Sequence, residues 1–244
     1  MDRPSKDERI KYKVDYPNDT AYSAYARLLQ SKWRQRKGFP EGKVPERKSL
    51  RAKVTFPVGS YLEEKFARET KANFLTDNIK ILVSQEIENA KKTGALISEP
   101  RIWTNLLSSQ PLCFNLFGEL FFDLNLATVF FQNLFPERID KVMAIRFEYS
   151  PGRGDFKYTG DRSAFDVFVE YKKGDIRGFI GIEVKYAESL KEESNDMAKK
   201  YFEENEERKK RYVTLTNESG VFKPDSVDFL RMPPLSQICR RMKK

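Results

Sequence analysis

The chain has 244 residues, which suits one domain with extensions or two small ones and is long enough to bury a substantial core. Hydrophobic residues make up 39% and aromatics 13%, so most of it should fold rather than stay disordered. The net charge is +9 and there is no histidine, which excludes a Ser-His-Asp triad, an HNH-type nuclease centre and other histidine-based acid–base chemistry.

The charge is uneven. Residues 1–60 hold 15 Lys/Arg against 7 Asp/Glu, a local excess of +8. Two readings stand: a basic surface that attracts polyanions, nucleic acid first, or a solvated, poorly ordered N-terminal arm. Within this stretch Tyr22 to Arg36 predicts a short basic helix with Ala24, Leu28 and Leu29 on one side. Gly38 to Pro57 holds three prolines and reads as a linker or extended segment. Residues 61–93 look helical, since Leu62, Phe66, Phe74, Ile79, Leu82, Ile87 and Ala90 recur near helical spacing and Gly94 supplies a stop.

Residues 108–122 predict another helix, capped by Ser108 or Ser109, with Pro111 tolerated in its first turn. Asp123 or Asn125 caps the next, which runs to about Phe135. After Pro136 the period changes to that of strands. Val142–Tyr149, Phe165–Tyr171 and Phe179–Tyr186 read as three strands, the third apolar enough to be central. A Gly-rich basic connection, residues 150–163, joins the first two, and Lys172–Arg177 turns into the third. Beyond it, residues 188–211 read as a charged surface helix, Val213–Thr216 as a short strand and Leu235 onward as a last helix. The first fifteen residues are mostly charged, unlike a signal peptide, and no apolar run approaches the roughly 18–20 residues needed to cross a bilayer. The two cysteines, Cys113 and Cys239, cannot build a zinc site without histidine and fit a reducing compartment. A soluble, cytoplasmic protein is expected.

The pattern that carries chemistry is Asp166, sixteen intervening residues, then Glu183-Val184-Lys185. Glu-x-Lys alone is uninformative, since it occurs seven times, starting at Glu41, Glu46, Glu63, Glu69, Glu170, Glu183 and Glu207. Only the copy at Glu183 ends a run of apolar strand residues that follows another strand bearing an acid. Strand side chains alternate, so Glu183 and Lys185 share a face, as do Asp166, Phe168 and Glu170. A hairpin can set Asp166 beside Glu183. Two converging carboxylates repel unless a cation sits between them, which a hard divalent ion would supply. The bland alternative is an ion pair of Lys185 with one of the acids at the sheet end.

The runs GDRSAFDVFVEY and GFIGIEVKYAE, with SSQPLCFNLFG, RFEYSPGR and PPLSQICRR, resemble the PD-(D/E)XK nuclease superfamily and its restriction-endonuclease-like group over roughly residues 100–240. The resemblance implies an α/β fold, a restriction-endonuclease-like core with a mixed three- to four-stranded sheet flanked by helices. It implies Mg²⁺-dependent (or Mn²⁺-dependent) hydrolysis of phosphodiester bonds, double-stranded DNA as partner, and a homodimer, since many such nucleases cut duplexes as dimers. Carried over, Asp166 and Glu183 are metal ligands, the carbonyl of Val184 is an additional ligand, and Lys185 assists the attacking water. Phe165 stands where the motif's name has proline. Glu148, in the first strand and close in topology to Asp166, is a further candidate catalytic acid. Glu119 is a candidate acid on the first core helix, with an ordinary polar position as the better reading. The expected organisation is a basic N-terminal extension over 1–60, a helical lead-in over 61–100 and the nuclease-like domain over 101–244.

Family members continue past the final helix into another core strand, whereas this chain stops at Lys244, so a core short of that strand is expected. The competing function is a catalytically inactive nucleic-acid-binding or assembly protein that keeps the fold. Arg153, Lys157 and Arg162 in the loop of residues 150–164 could follow a phosphate backbone, or the loop is a plain connection. Tyr158 and Trp103 could stack on bases, although aromatics are more often core. Gln110 and Asn115 could orient the site, although a structural amide is the commoner case.

Overall fold

The computed structural model describes residues 2–16, 18–44, 57–155 and 164–187. They divide into two compact units. The first spans Met1–Glu119 and takes up the chain again from Val184, and the second includes Leu120–Glu183. The expected helix over 188–211, the strand Val213–Thr216 and the last helix lie outside the described residues, as do Lys157, Tyr158 and Arg162.

The first unit opens with α1 (Lys6–Lys11) and α2 (Ala21–Arg36). Thr20 caps α2 by accepting from the Ser23 amide at 3.1 Å. Ala24 and Leu28 are buried as the helical spacing predicts, but Leu29 is 46% exposed and lies off the buried stripe. The segment predicted as linker contains a short strand, β1 (Glu41–Lys43), and ends where β2 (Pro57–Leu62) begins; the two pair antiparallel. Glycine makes their packing possible. A Cβ on Gly59 would lie 2.0 Å from the Tyr12 carbonyl oxygen and 2.2 Å from Ser31 Oγ. Buried Arg34 of α2 donates to the carbonyls of Gly59 and Phe39 at 2.8 and 2.7 Å and faces Glu41 at 3.4 Å, so a charge on the helix is satisfied by the strands it packs against.

The single helix predicted over 61–93 is two. Leu62 completes β2, then α3 (Glu64–Thr70) ends at Lys71, which adopts φ 52°. Thr76 caps the start of α4 (Asp77–Thr93), and Gly94, at φ 70°, terminates it. The apolar spacing is continuous across the gap, but the left-handed Lys71 and the Thr76 cap break the hydrogen-bond ladder. After α5 (Arg101–Thr104) comes α6 (Ser109–Phe122), with the predicted boundaries. Trp103 is core, 6% exposed, with Phe74 between it and Phe114 in edge-to-face contacts at 5.8 and 6.4 Å.

The second unit places α7 (Leu124–Leu134) against a three-stranded sheet of β3 (Lys141–Tyr149), β4 (Phe165–Lys173) and β5 (Ile176–Ile182), in the order β3-β4-β5. Asp123 caps α7 by accepting from the amides of Asn125 and Leu126. The helix buries Ala127 and Phe131, and Thr128 Oγ1 accepts from the Val142 amide at 2.9 Å. All three described strands are antiparallel. Among the described strands the central one is β4. Phe165, Val167, Phe168 and Val169 of β4 are buried on both faces.

The third strand also ends earlier than predicted, at Ile182 rather than Tyr186. From Val184 the chain belongs to the first unit, where Gln30 Nε2 donates to Tyr186 Oη at 2.8 Å and Ser23 Oγ donates to the Ala187 carbonyl at 3.0 Å. Both contacts come from side chains of α2. The architecture is α/β, with seven helices and two antiparallel sheets among the described residues. No single described helix is long and apolar enough to cross a membrane.

Candidate active site

The central strand organises the acids. In the β3–β4 ladder Phe147 pairs with Val167 and Tyr149 with Phe165, which brackets Glu148 opposite Asp166. The β4–β5 ladder ends at the pair of Val167 with Ile182, so Asp166 and Glu183 are the next residues beyond it on the two chains. Glu148 and Asp166 thus share one cross-strand row at the end of the sheet, and Glu183 lies one residue past the end of β5. All three lie in the second unit.

Glu148 has φ 46°, a left-handed conformation uncommon for a residue with a Cβ. The ladder holds register on either side of it. Its carbonyl accepts from Arg153 Nη2 at 3.0 Å, and Arg153 sits in the turn that follows, where Gly152 and Gly154 take φ 64° and 70°. Backbone strain of this kind concentrates at functional sites because the surroundings must enforce it.

Asp166 is half-buried, Glu183 exposed, Val184 buried and Lys185 exposed. The alternation expected of the Glu-Val-Lys segment therefore survives as burial, although these three residues lie just past the end of β5. Lys185 falls in the first unit. Among the described residues no group of three or more Asp, Glu or Cys side chains is gathered closely enough to hold a metal ion. These acids supply hard carboxylate oxygens, the donors that hard divalent cations prefer.

Around the row the sheet carries an aromatic cluster. Tyr149 and Phe168 approach to 4.8 Å, and Phe168 stacks on Phe179 at 4.9 Å. Beside it Arg146 pairs with Glu170 at 2.9 Å and lies 5.0 Å from the Tyr149 ring centre. Glu170 begins another Glu-x-Lys copy, and its acid is already committed. The same holds for Glu41, paired with Lys13 and Arg34, and for Glu63, which caps α3. Two amide backbone bonds, to Phe66 first and then Lys65, hold the Glu63 carboxyl below its usual range.

The polar candidates before the sheet have structural work. Gln110 donates to the Leu96 carbonyl and accepts from the Ser98 amide. Asn115 donates to the Asn73 carbonyl and accepts from the Leu75 amide. Glu119 accepts from Thr76 Oγ1 and from Asn78 Nδ2, the latter at 3.1 Å. These two bonds lower its pKa and anchor α6 to the start of α4.

A cleft of about 360 Å³ lies wholly within the first unit. Leu29, Gln30, Trp33 and Arg36 of α2 line one side, and Tyr186 and Leu75 are among the residues completing it. The spacing of Leu29, Trp33 and Arg36, i, i+4 and i+7, was readable as one helix face. Nothing local marks Tyr186 as joining them, because that depends on the chain leaving the sheet after Ile182.

A model of the PD-(D/E)XK nuclease superfamily matches residues 17–243. No curated protein and no solved structure matches the chain significantly. The match spans nearly the whole sequence, and the chain belongs to the PD-(D/E)XK nuclease superfamily.

Proposed function

We propose that this protein is a Mg²⁺-dependent (or Mn²⁺-dependent) endonuclease that hydrolyses phosphodiester bonds of double-stranded DNA, with residues 101–244 carrying the nuclease-like core. The reading is supported above all by the placing of Glu148 opposite Asp166 in the β3–β4 ladder, with Glu183 just past the end of β5. Family membership supports nucleic acid as the substrate. Asp166, Glu183 and the Val184 carbonyl would hold the cation, with Glu148 as the adjoining acid. When bound, the ion supplies positive charge that offsets the carboxylates and polarises the phosphate. Lys185 orients the attacking water and helps remove its proton. The water oxygen bonds to phosphorus as the bond from phosphorus to the departing sugar oxygen breaks, and that oxygen leaves with a proton from solvent.

The test is cleavage of supercoiled plasmid with Mg²⁺ or Mn²⁺ by the wild type, Asp166→Ala and Lys185→Ala. Metal-dependent nicking that falls at least 100-fold in both variants is expected, since proton transfer alone typically contributes about 10²–10⁴-fold. Salt-sensitive DNA binding without cleavage by folded wild type would replace this reading with the inactive binding protein.

A further inference from the structure

The cleft of the first unit has unused recognition groups. Arg36 is exposed and has no ion-pair partner among the described residues. Half-buried Trp33 meets Phe39 edge-on at 5.5 Å, but its indole N–H makes no hydrogen bond to a described residue. Gln30 donates through Nε2 to Tyr186 Oη at 2.8 Å, and its Oε1 accepts from no described residue. Leu29 and Leu75, 46% and 71% exposed, add apolar wall. At about 360 Å³ the cleft falls at the low end of small-ligand sites, roughly 300–1,000 Å³.

These groups specify a ligand class. Two aromatic rings and leucine walls suit a flat ring. An open N–H donor and an open carbonyl acceptor suit a ring edged with both acceptors and donors. A solvent-facing guanidinium at the end of α2 suits an anion attached to that ring. We infer that the cleft takes a nucleobase together with its phosphate, and that the source is an unstacked base of a nucleic acid strand. The strand, rather than a free nucleotide, follows from the excess of +8 over residues 1–60 and from chain continuity: Tyr186, which lines the cleft, directly follows Lys185. The inference rests on the nucleic acid substrate proposed above and adds single-stranded or extruded bases to it.

The test measures binding of a short single-stranded oligothymidylate to the full chain in EDTA, so that nothing is cut. Trp33→Leu and Arg36→Ala are expected to weaken it roughly 5- to 100-fold, the range for losing one base stack or charge contact. Trp33→Tyr should restore most of the affinity, and a thermal melt confirms that each variant folds. An abasic oligomer of equal length should bind the wild type as weakly as the oligothymidylate binds Trp33→Leu. Equal affinity for abasic and base-bearing strands, or undiminished binding by both cleft variants, overturns the base site. Adenosine monophosphate binding as tightly as the strand overturns the strand as source.

Plasmid cleavage separates the two proposals. Cleavage lost in Asp166→Ala while the cleft variants bind normally removes the cleft and leaves the nuclease. Cleft-dependent binding by a wild type that never cuts removes the nuclease and leaves the cleft.

Discussion

Glu148 concentrates the question of function at the scale of one residue. A left-handed backbone costs a residue with a Cβ roughly 1–2 kcal/mol, while glycine adopts it without that penalty but loses more freedom on folding. At φ 46°, Glu148→Gly is therefore expected to be more stable than Glu148→Ala by about 1 kcal/mol in chemical denaturation, although both lose the carboxylate. Equal stability would mean the strand relaxes and the conformation is not enforced. Both variants should lose plasmid nicking, since neither restores the acid. Tyr16 offers a second residue-scale reading. Burial pushes its phenol up to about 12, against the opposing charge of Arg27, whose guanidinium lies 4.1 Å from the ring centre. A raised folded pKa means that the stabilisation is complete below the unfolded value of about 10 and is lost as pH climbs towards 12. Across that window the wild type should lose stability faster than Tyr16→Phe, and parallel alkaline melts of the two would refute it.

Elements fix which acids do structural work. Glu119 on α6 binds Thr76 and Asn78 at the start of α4, so Glu119→Ala should lower the unfolding free energy by about 1 kcal/mol, the net value of such hydrogen bonds, and leave nicking per folded molecule intact. Lost nicking at unchanged stability would make Glu119 a site acid instead. Sequence periodicity served well where an element's own residues decide it. The cap of α7, the span of α6 and the positions of β3 and β4 were all readable, because Asp123 and strict alternation act locally. It failed where distant chain decides. Nothing local marks Lys71 as left-handed or Gly59 as the residue that must admit the Tyr12 carbonyl. The apolar run from Phe179 reads as strand to Tyr186, yet α2 claims the chain from Val184. The β4–β5 hairpin was legible in the sequence, with Asp166 in its first strand and Glu183 just past its second. The place of Glu148 opposite Asp166 required the β3–β4 register.

At the scale of the molecule, the basic N-terminal stretch is folded surface through much of its length. Val14, Ala24 and Leu28 are buried, and Arg27 and Arg34 are committed to Asp19 and Glu41. Each such pair takes one cation and one acid, so the sequence excess of +8 is left for a polyanion. Lys37 and Lys43, both exposed at the end of α2 and in β1, have no ion-pair partner among the described residues. Each phosphate neutralised on a DNA duplex releases condensed counterions, which makes log K fall with log salt at roughly 0.9 per contact. The double variant Lys37→Ala/Lys43→Ala should therefore bind duplex DNA more weakly at low salt, with a slope shallower by about 1–2. Titrations of both proteins over a range of salt concentrations measure it. An unchanged slope with an unchanged melt would move the electrostatic footprint off this face, and the charge in the first sixty residues would then serve the fold and its solubility rather than the nucleic acid.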